Sequence, residues 1–301
     1  MDYTLPGRSL TLQKIPPFVL ENMIAWYKKL TSLQQKTDFV SVDFFESMRW
    51  QQDTRWQEPF EKDPLITTLK KHFDLFCQTP QKKVSTIPKT LHFIWLGSPL
   101  PLFAKLSLDS WLHHHREWEV RVWDDAAVAN FCFSDSRCHR NFFATKVFAE
   151  KADILRYEIL YQYGGLYSDT DVICLKPFDP LVQSLDFFIG IETGRLPLHV
   201  GSCIIGASPQ HPIMKYCLDH HRGEHEAEDC SLLERCGPGL VSRACCHILA
   251  TETAFQPLFL PTTYFYPFPF QKRREPLHKA KDYITEESMA LHLWNGSWLP
   301  Y

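Results

Sequence analysis

The chain has 301 residues, of which 45% are hydrophobic and 22% are charged, and its formal net charge is -3. This balance is typical of a soluble globular protein with a sizeable core, arranged as one large domain or as a domain with an extension. A net charge this small provides no global field for recruiting nucleic acid, so a nucleic-acid partner is not expected.

Neither a signal peptide nor a membrane-spanning helix is expected from the sequence. The first ten residues, MDYTLPGRSL, lack the basic stretch and apolar run of a secretory signal. No window reaches about 18 uninterrupted apolar residues, the length that a membrane span needs. The ten cysteines are too sparse for a disulfide scaffold, and they lack the CxxC spacing of structural zinc sites. These features together predict reduced thiols and a cytoplasmic, reducing compartment.

Residues 1–85 predict a helical extension or cap. After Gly7 they contain no glycine, and apolar residues recur at helical spacing within 21–33 and 63–76. Asp63 followed by Pro64 is a typical helix start, with the acid as N-cap and proline at the first helical position. The polar stretch 77–89 then predicts a linker, so we place a second domain at 86–301.

From residue 86 onward, strand and helix patterns alternate. Short apolar runs that predict strands are LHFIWL (91–96), WEVRVW (118–123), LYSDTDVICL (166–175), DFFIGIE (186–192), VGSCIIGA (200–207) and ALHLW (290–294). Helical patterns occur at 102–115, 144–163, 212–221 and 238–250. Gly164 and Gly165 follow the longest helix and predict its C-terminal end. This alternation favours an α/β fold with a mostly parallel central sheet flanked by helices.

An acidic triplet, Asp169-Thr170-Asp171, lies between two apolar runs just after the longest helix. An Asp-x-Asp pattern by itself is close to chance, and a solvated turn is the alternative interpretation. Its context is informative, because the carboxyl ends of strands in open α/β sheets form ligand crevices. Carboxylates in such a place suit Mg²⁺ or Mn²⁺ with coordinated phosphate oxygens.

The segment AEKADILRYEILYQYGGLYSDTDV (149–172) strongly resembles the sugar-binding region of DXD glycosyltransferases of the yeast initiating mannosyltransferase type. It resembles the large clostridial glucosylating toxins more distantly. The resemblance extends over residues 87–298 and implies a GT-A-type nucleotide-sugar domain. It also implies that Asp171 binds a divalent metal directly, while Asp169 contacts sugar or ribose and reaches the metal through water.

The resemblance marks further donor-binding positions. Trp95, after Ile94 in the first predicted strand, matches a tryptophan that stacks on the nucleotide base, although a core tryptophan is the alternative. Asp153 and Arg156 lie three residues apart and so share a helix face. They match residues that reach the sugar hydroxyls, and a surface ion pair is the plain alternative. Tyr167 also matches. The residues implied in catalysis are Asp153, Arg156, Asp169 and Asp171.

Near the end of the chain, ALHLWNGSW resembles the closing element of these families. His292 is implied as a third metal ligand, with a buried structural histidine as the alternative. Ser297 and Trp298 are implied as hydrogen-bond donors to the diphosphate. Glu192, His199 and the loop Gly237-Pro238-Gly239 are further candidates to line the acceptor side.

The sequence thus predicts a metal-dependent, retaining glycosyltransferase that moves a hexose, with UDP-glucose favoured as donor, to an acceptor hydroxyl. The toxin-like segments suggest a bacterial effector that modifies a protein in a host cytosol. Alternatives are synthesis of a surface polysaccharide or glycolipid, and an inactive nucleotide-sugar binder. The helical residues 1–85 would then be a cap on the sheet or a peripheral membrane-docking bundle.

Overall fold

The structure is a computed structural model that describes residues 39–48, 57–78, 86–193, 197–223, 226, 230–251 and 257–295, together with residues 4–5, 8–9 and 25. The strands are β1 (Thr4–Leu5), β2 (Arg8–Ser9), β3 (Thr90–Ile94), β4 (Glu119–Trp123), β5 (Gly165–Ser168), β6 (Val172–Cys174), β7 (Phe187–Thr193), β8 (His199–Ala207), β9 (Leu258–Leu260) and β10 (Ala290–His292). The α-helices are α1 (Gln57–Glu61), α2 (Pro64–Gln78), α3 (Leu102–His114), α4 (Asp125–Val128), α5 (Ser136–Ala144), α6 (Phe148–Tyr163), α7 (Asp179–Val182), α8 (Pro212–His220), α9 (Leu232–Arg235), α10 (Pro238–Thr251) and α11 (Thr262–Phe265). Short 3-10 helices lie at Glu46–Met48, Phe270–Lys272 and Leu277–Tyr283.

The central sheet has six strands in the order β4-β3-β5-β8-β7-β9. Strand β8 runs antiparallel to both of its neighbours, and the other five strands run in one direction. The predicted α/β fold with a mostly parallel central sheet is therefore confirmed. The carboxyl ends of β3, β5 and β7 and the beginning of β8 meet at one edge, which we call the site edge.

The helices pack on this sheet and on one another as the apolar patterns predict. Helix α6 packs against β5 and α8, and α10 packs against β8 and α8. Asp124 caps α4, because its carboxylate accepts a hydrogen bond from the Ala127 amide at 2.8 Å. Within the described residues, no helix is both long enough and apolar enough to cross a membrane.

Two glycines form the corner between α6 and β5. Gly164 has a φ of 62° and Gly165 a φ of 104°, conformations that L side chains rarely adopt. A Cβ on Gly165 would lie 2.7 Å from the Thr90 carbonyl oxygen and 2.9 Å from His92 Nε2. The corner therefore needs glycine, and it directs β5 along β3 towards the site edge.

A second, two-stranded sheet joins the end of the chain to the acidic triplet. Strand β10 pairs antiparallel with β6, and His292 lies opposite Val172. The Leu293 amide also donates to the Asp171 carbonyl at 3.0 Å. This pairing fixes the C-terminal strand beside the residues that follow β5.

Within residues 1–85, helix α2 packs against β9, and the 3-10 helix Glu46–Met48 packs against α11. Helix α2 begins as predicted, since the Asp63 carboxylate accepts hydrogen bonds from the Leu65 and Ile66 amides at 2.9 and 3.2 Å. Phe73 of α2 contacts Tyr264, and both belong to the same apolar core as the sheet. The helix predicted within 21–33 lies outside the described residues, except for Ala25, which is helical. A domain boundary near residue 85 stays a prediction.

Candidate functional site

The acidic triplet occupies the turn between β5 and β6 at the site edge. The Asp169 amide donates to the Cys203 carbonyl of β8 at 2.8 Å, which ties the turn to the sheet. Thr170 is buried, whereas Asp169 and Asp171 are partly accessible. The structure therefore places both carboxylates at the carboxyl end of a central strand, as predicted.

Asp169, Asp171 and His292 converge at this turn. Each offers one metal-ligating atom, and the three atoms lie within 4.8 Å of one another. His292 Nε2 is 3.3 Å from Asp171 Oδ1, and the Asn295 amide donates to Asp171 Oδ2 at 2.8 Å. Two carboxylates and one imidazole form a donor set that suits Mn²⁺ or Mg²⁺.

The protonation of the pair Asp171–His292 is set by their mutual attraction. Burial opposes charge on Asp171, but the neighbouring His292 and the Asn295 amide hold its pKa below the usual value. Burial likewise opposes charge on His292, but Asp171 raises its pKa above 6.5. His292 Nδ1 is buried without a hydrogen-bond partner in the described part of the chain. The ring nitrogen that faces Asp171 is Nε2, and an imidazole paired with a carboxylate in this way fits a cation site.

Arg156 organises the adjoining part of the site. Its Nη1 lies 3.0 Å from Asp153 Oδ1, and its Nη2 lies 3.0 Å from Asp169 Oδ1. The guanidinium stacks 4.4 Å from the centre of the Tyr167 ring, and the Tyr167 hydroxyl donates to Asp169 Oδ1 at 2.7 Å. The Asp153–Arg156 pair is buried, with side-chain exposures of 11% and 5%, so the alternative of a surface ion pair is wrong.

Burial raises the pKa of Asp153 to about 7, although Arg156 acts in the opposite direction. Burial also raises the pKa of Asp169, again against the effect of Arg156, and Asp171 adds to the rise. Asp153 and Asp169 share the single positive charge of Arg156. A bound cation or a hydrogen-bond donor would therefore stabilise the ionised form of these two carboxylates.

Two aromatic side chains pack against His292. Its ring lies 4.1 Å from that of Trp294 and 5.8 Å from that of Tyr266, measured between centroids. Trp294 has a φ of 56°, which is rare for a bulky residue and turns the chain so that the Asn295 amide reaches Asp171. Sequence reasoning missed Tyr266 and Asn295. The run around Tyr266 carries no motif, and Asn295 acts through its backbone.

Ile94 and Trp95 lie at the carboxyl end of β3, on the site edge. Ile94 is buried, and Trp95 is partly buried with its ring edge-on to Phe103 at 5.8 Å. The Trp95 indole donates to Ser98 Oγ at 3.2 Å. The structure thus places both residues where the sequence predicts, and base stacking on Trp95 stays a prediction. Ser297 and Trp298 lie outside the described residues.

The three acceptor-side candidates also reach this edge. Glu192 is near the end of β7, and His199 begins β8. Gly237 lies beside the sugar-site candidate, because a Cβ on it would be 3.4 Å from Asp153 Oδ2. The Tyr157 hydroxyl donates to the Cys236 carbonyl at 2.8 Å and anchors this loop on α6.

A comparison with protein families agrees with this geometry. Residues 104–188 match the family model described as a glycosyltransferase sugar-binding region containing a DXD motif. Residues 104–188 are therefore similar to this glycosyltransferase region. The matched DXD region includes Asp153, Arg156, Asp169 and Asp171, whereas Trp95 and His292 lie outside it.

The chain is also similar to curated fungal proteins. Inositol phosphoceramide mannosyltransferase 1 of Schizosaccharomyces pombe is 27% identical over 136 residues, which cover 44% of this chain and 42% of that protein. Mannosyl phosphorylinositol ceramide synthase SUR1 of Saccharomyces cerevisiae is 30% identical over 137 residues, covering 45% of this chain and 35% of that protein. The chain therefore spans about two fifths of the length of these relatives.

Among solved structures, the PaToxG glycosyltransferase is similar with a TM-score of 0.44 and 19% sequence identity. The similarity covers 66% of this chain and 81% of that one.

Proposed function

We propose that the protein is a metal-dependent, retaining glycosyltransferase with a GT-A-type domain. It would transfer a hexose from a nucleoside diphosphate sugar to an acceptor hydroxyl. The observation that carries this proposal is the convergence of Asp169, Asp171 and His292 within 4.8 Å, inside or beside the DXD region. Arg156 and Asp153 adjoin the same cluster through Asp169.

Asp171, Asp169 and His292 are the residues that would hold Mn²⁺ or Mg²⁺. A bound divalent cation would supply charge neutralisation for the nucleoside diphosphate as it departs. Asp171 is our choice for direct ligation, because Asp169 Oδ1 is already engaged by Arg156 and Tyr167. Ser297 and Trp298 are proposed as hydrogen-bond donors to the diphosphate oxygens.

The donor sugar is proposed to lie against Asp153 and Arg156, and the base against Ile94 and Trp95. Arg156 and Asp153 are both rigidly held, which orients hydroxyl contacts at low entropic cost. UDP-glucose is the donor that the sequence resemblance favours. Both fungal relatives are named for mannose transfer, so GDP-mannose is the second candidate.

The acceptor proposal has two versions. The toxin-like sequence segments favour a protein hydroxyl, with the protein acting as a bacterial effector in a host cytosol. The names of the fungal relatives, both of which specify an inositol-containing ceramide, favour a glycolipid hydroxyl instead. We prefer the glycolipid version because it is supported by two aligned relatives, at 27% and 30% identity. Effector activity, cytoplasmic location and membrane contact through residues 1–85 stay predictions.

A donor panel tests the function. The full chain is incubated with Mn²⁺ and either UDP-glucose, UDP-N-acetylglucosamine or GDP-mannose, and free nucleoside diphosphate is measured. We expect turnover of one donor, its loss in EDTA, and a reduction of at least about 100-fold in Asp171→Asn. Asp219→Asn is the matched control, because Asp219 is an exposed carboxylate paired with Lys215.

The panel also separates the enzyme from an inactive binder. Saturable binding of a donor without release of nucleoside diphosphate would contradict the transferase and support the binder. The anomeric configuration of the first product, read by NMR, tests retention, and an inverted product would contradict it.

A further inference from the structure

A second polar pair, Glu192 and His199, lies on the site edge. Glu192 is near the end of β7 and His199 is at the start of β8, so neighbouring strands place the two side chains together. Glu192 Oε2 is 3.9 Å from His199 Nδ1. Their side chains are 19% and 34% exposed, so they are largely removed from solvent without being sealed.

One atom of the pair lacks the hydrogen bond that its burial normally demands. His199 Nδ1 is a buried atom without a hydrogen-bond partner among the described residues. The separation of 3.9 Å from Glu192 Oε2 is too long for a direct bond. An oxygen atom at about 2.8 Å from each of these two atoms would bridge them at close to a right angle. A hydroxyl suits this position, because it can donate to the carboxylate and accept from the Nδ1–H of the imidazole.

Gly201 and Tyr266 connect the pair to the metal-ligand candidates. Gly201 lies beneath it, and a Cβ there would be 3.1 Å from Glu192 Oε2 and would overlap the Tyr266 hydroxyl. The Cys203 thiol contacts the same hydroxyl at 3.1 Å, and the Tyr266 ring packs edge-on to His292. Burial raises the pKa of Glu192, and the neighbouring His199 opposes that rise.

We propose that Glu192 and His199 form a binding subsite for the acceptor, in which one sugar or cyclitol hydroxyl donates to the Glu192 carboxylate and accepts from His199 Nδ1–H. The subsite rests on the proposed transferase function and specifies which side of the site edge receives the acceptor. Tyr266 separates it from His292, so the acceptor lies on the β7–β8 side and the donor on the α6–β5 side.

The test measures how the transferred sugar partitions between an added alcohol and water. The full chain is supplied with Mn²⁺, the donor that it turns over, and either glycerol or myo-inositol as hydroxyl probe. The ratio of alcohol product to free sugar does not depend on how fast the donor is consumed. We expect Glu192→Gln and His199→Ala each to lower this ratio about tenfold, with donor affinity unchanged within about twofold.

Glu234→Gln is the matched control, since Glu234 is an exposed carboxylate paired with Arg243. If Glu192→Gln folds poorly by thermal melting, Glu192→Asp keeps the charge and shortens its reach, and the same fall is expected. An unchanged ratio in the folded variants would overturn the subsite. A wild-type enzyme that passes sugar to water and to neither alcohol would also overturn it. Absence of any donor turnover would instead contradict the proposed function itself.

Discussion

Arg156 shows how burial gives a single side chain its role. An Asp and an Arg three residues apart on a helix are usually a weak surface pair. Here the guanidinium is buried, stacked on Tyr167 and shared between Asp153 and Asp169. The planar guanidinium contacts the carboxylates of Asp153 and Asp169 at once, which a lysine ammonium cannot do in the same geometry.

Arg156→Lys is expected to lower donor turnover at least about tenfold and to reduce thermal stability, since one buried carboxylate loses its cation. Turnover of the donor found in the panel and the melting temperature are the two measurements. Arg121→Lys is the control, because Arg121 is a half-exposed residue paired with Glu119. Equal turnover in both variants would argue against a role for Arg156 at the donor.

His92 is a residue whose neutral form the fold requires. Its Nε2 lies 2.9 Å from the Gly164 carbonyl, and its Nδ1 accepts from the Trp123 indole at 3.2 Å. Only the neutral tautomer with hydrogen on Nε2 satisfies both contacts, because a proton on Nδ1 would face the indole N–H. Burial accordingly lowers the pKa of His92 to about 4.

The pKa of His92 predicts a pH dependence of stability. The unfolded chain binds a proton at this residue below its ordinary pKa of about 6.5, whereas the folded chain does so only near 4. Its contribution is therefore complete above pH 6.5 and is lost as the pH falls from 6.5 to about 4. The variant His92→Gln keeps a hydrogen-bond donor and an acceptor but does not titrate. Relative to this variant, the free energy of unfolding of the wild type should fall by about 3 kcal/mol between pH 6.5 and 4.

Urea unfolding of both proteins at several pH values between 7 and 4 measures this difference. Parallel stability curves for the wild type and His92→Gln would contradict it. His247→Gln, at an exposed position on α10, is the control for a histidine outside the core.

Among the elements, helix α6 positions the most site residues. Its two ends are held in place by different interactions. The glycine corner at its C-terminal end directs β5, and its first turn is held by a buried ion pair. Glu150 accepts bidentate hydrogen bonds from Arg235 of α9, one of them at 2.8 Å, and another from Thr145 at 2.7 Å. This ion pair fixes the loop that carries Gly237 beside Asp153.

Arg235→Met is expected to destabilise the protein by about 3–5 kcal/mol, because Glu150 is fully buried and would lose its cationic partner. The double variant Glu150→Leu with Arg235→Met should recover part of that loss. Chemical denaturation of the two variants measures both values. The control Arg243→Met removes an exposed pair with Glu234 and should cost under about 1 kcal/mol. A similar cost for Arg235→Met and Arg243→Met would contradict the structural role of the buried pair.

At the scale of the whole molecule, helix α2 and residues 39–48 share the core of the sheet. Phe39 stacks on Tyr264 at 5.4 Å, and the Tyr264 hydroxyl donates to the Val40 carbonyl at 2.7 Å. Phe73 meets the same ring edge-on at 5.7 Å. These contacts favour the cap over the membrane-docking bundle for α2 and residues 39–48.

If α2 is part of one cooperative unit, Phe73→Ala should lower the free energy of unfolding of the whole chain by about 3–5 kcal/mol. Fluorescence and circular dichroism should then report a single transition at the same denaturant concentration. Leu75→Ala on the same helix is the control, since Leu75 is 53% exposed. An early separate transition in Phe73→Ala would show that the extension unfolds by itself.

The sequence alone determined the features that depend on neighbours along the chain. Apolar periodicity identified the long helix over α6 and the strands of the central sheet other than β9, and local cap chemistry identified the start of α2. The glycine pair and the acidic triplet were placed correctly at a helix end and a strand end. These predictions succeed because each rests on backbone geometry within about one or two turns.

Tertiary structure alone decided what lies around the triplet. It brought Asn295, 124 residues further along the chain, to Asp171, and it put His292 within 3.3 Å of that carboxylate. Strand β8 runs antiparallel to its neighbours, and this direction sets His199 beside Glu192. The fold also buries the Asp153–Arg156 pair, for which the spacing alone allowed either a surface or a site role. Such features depend on which distant segments pack together, and burial changes the energy of a charged group far more than spacing along a helix does. The acidic triplet is therefore a local feature of the sequence, and the site around it is a product of the fold.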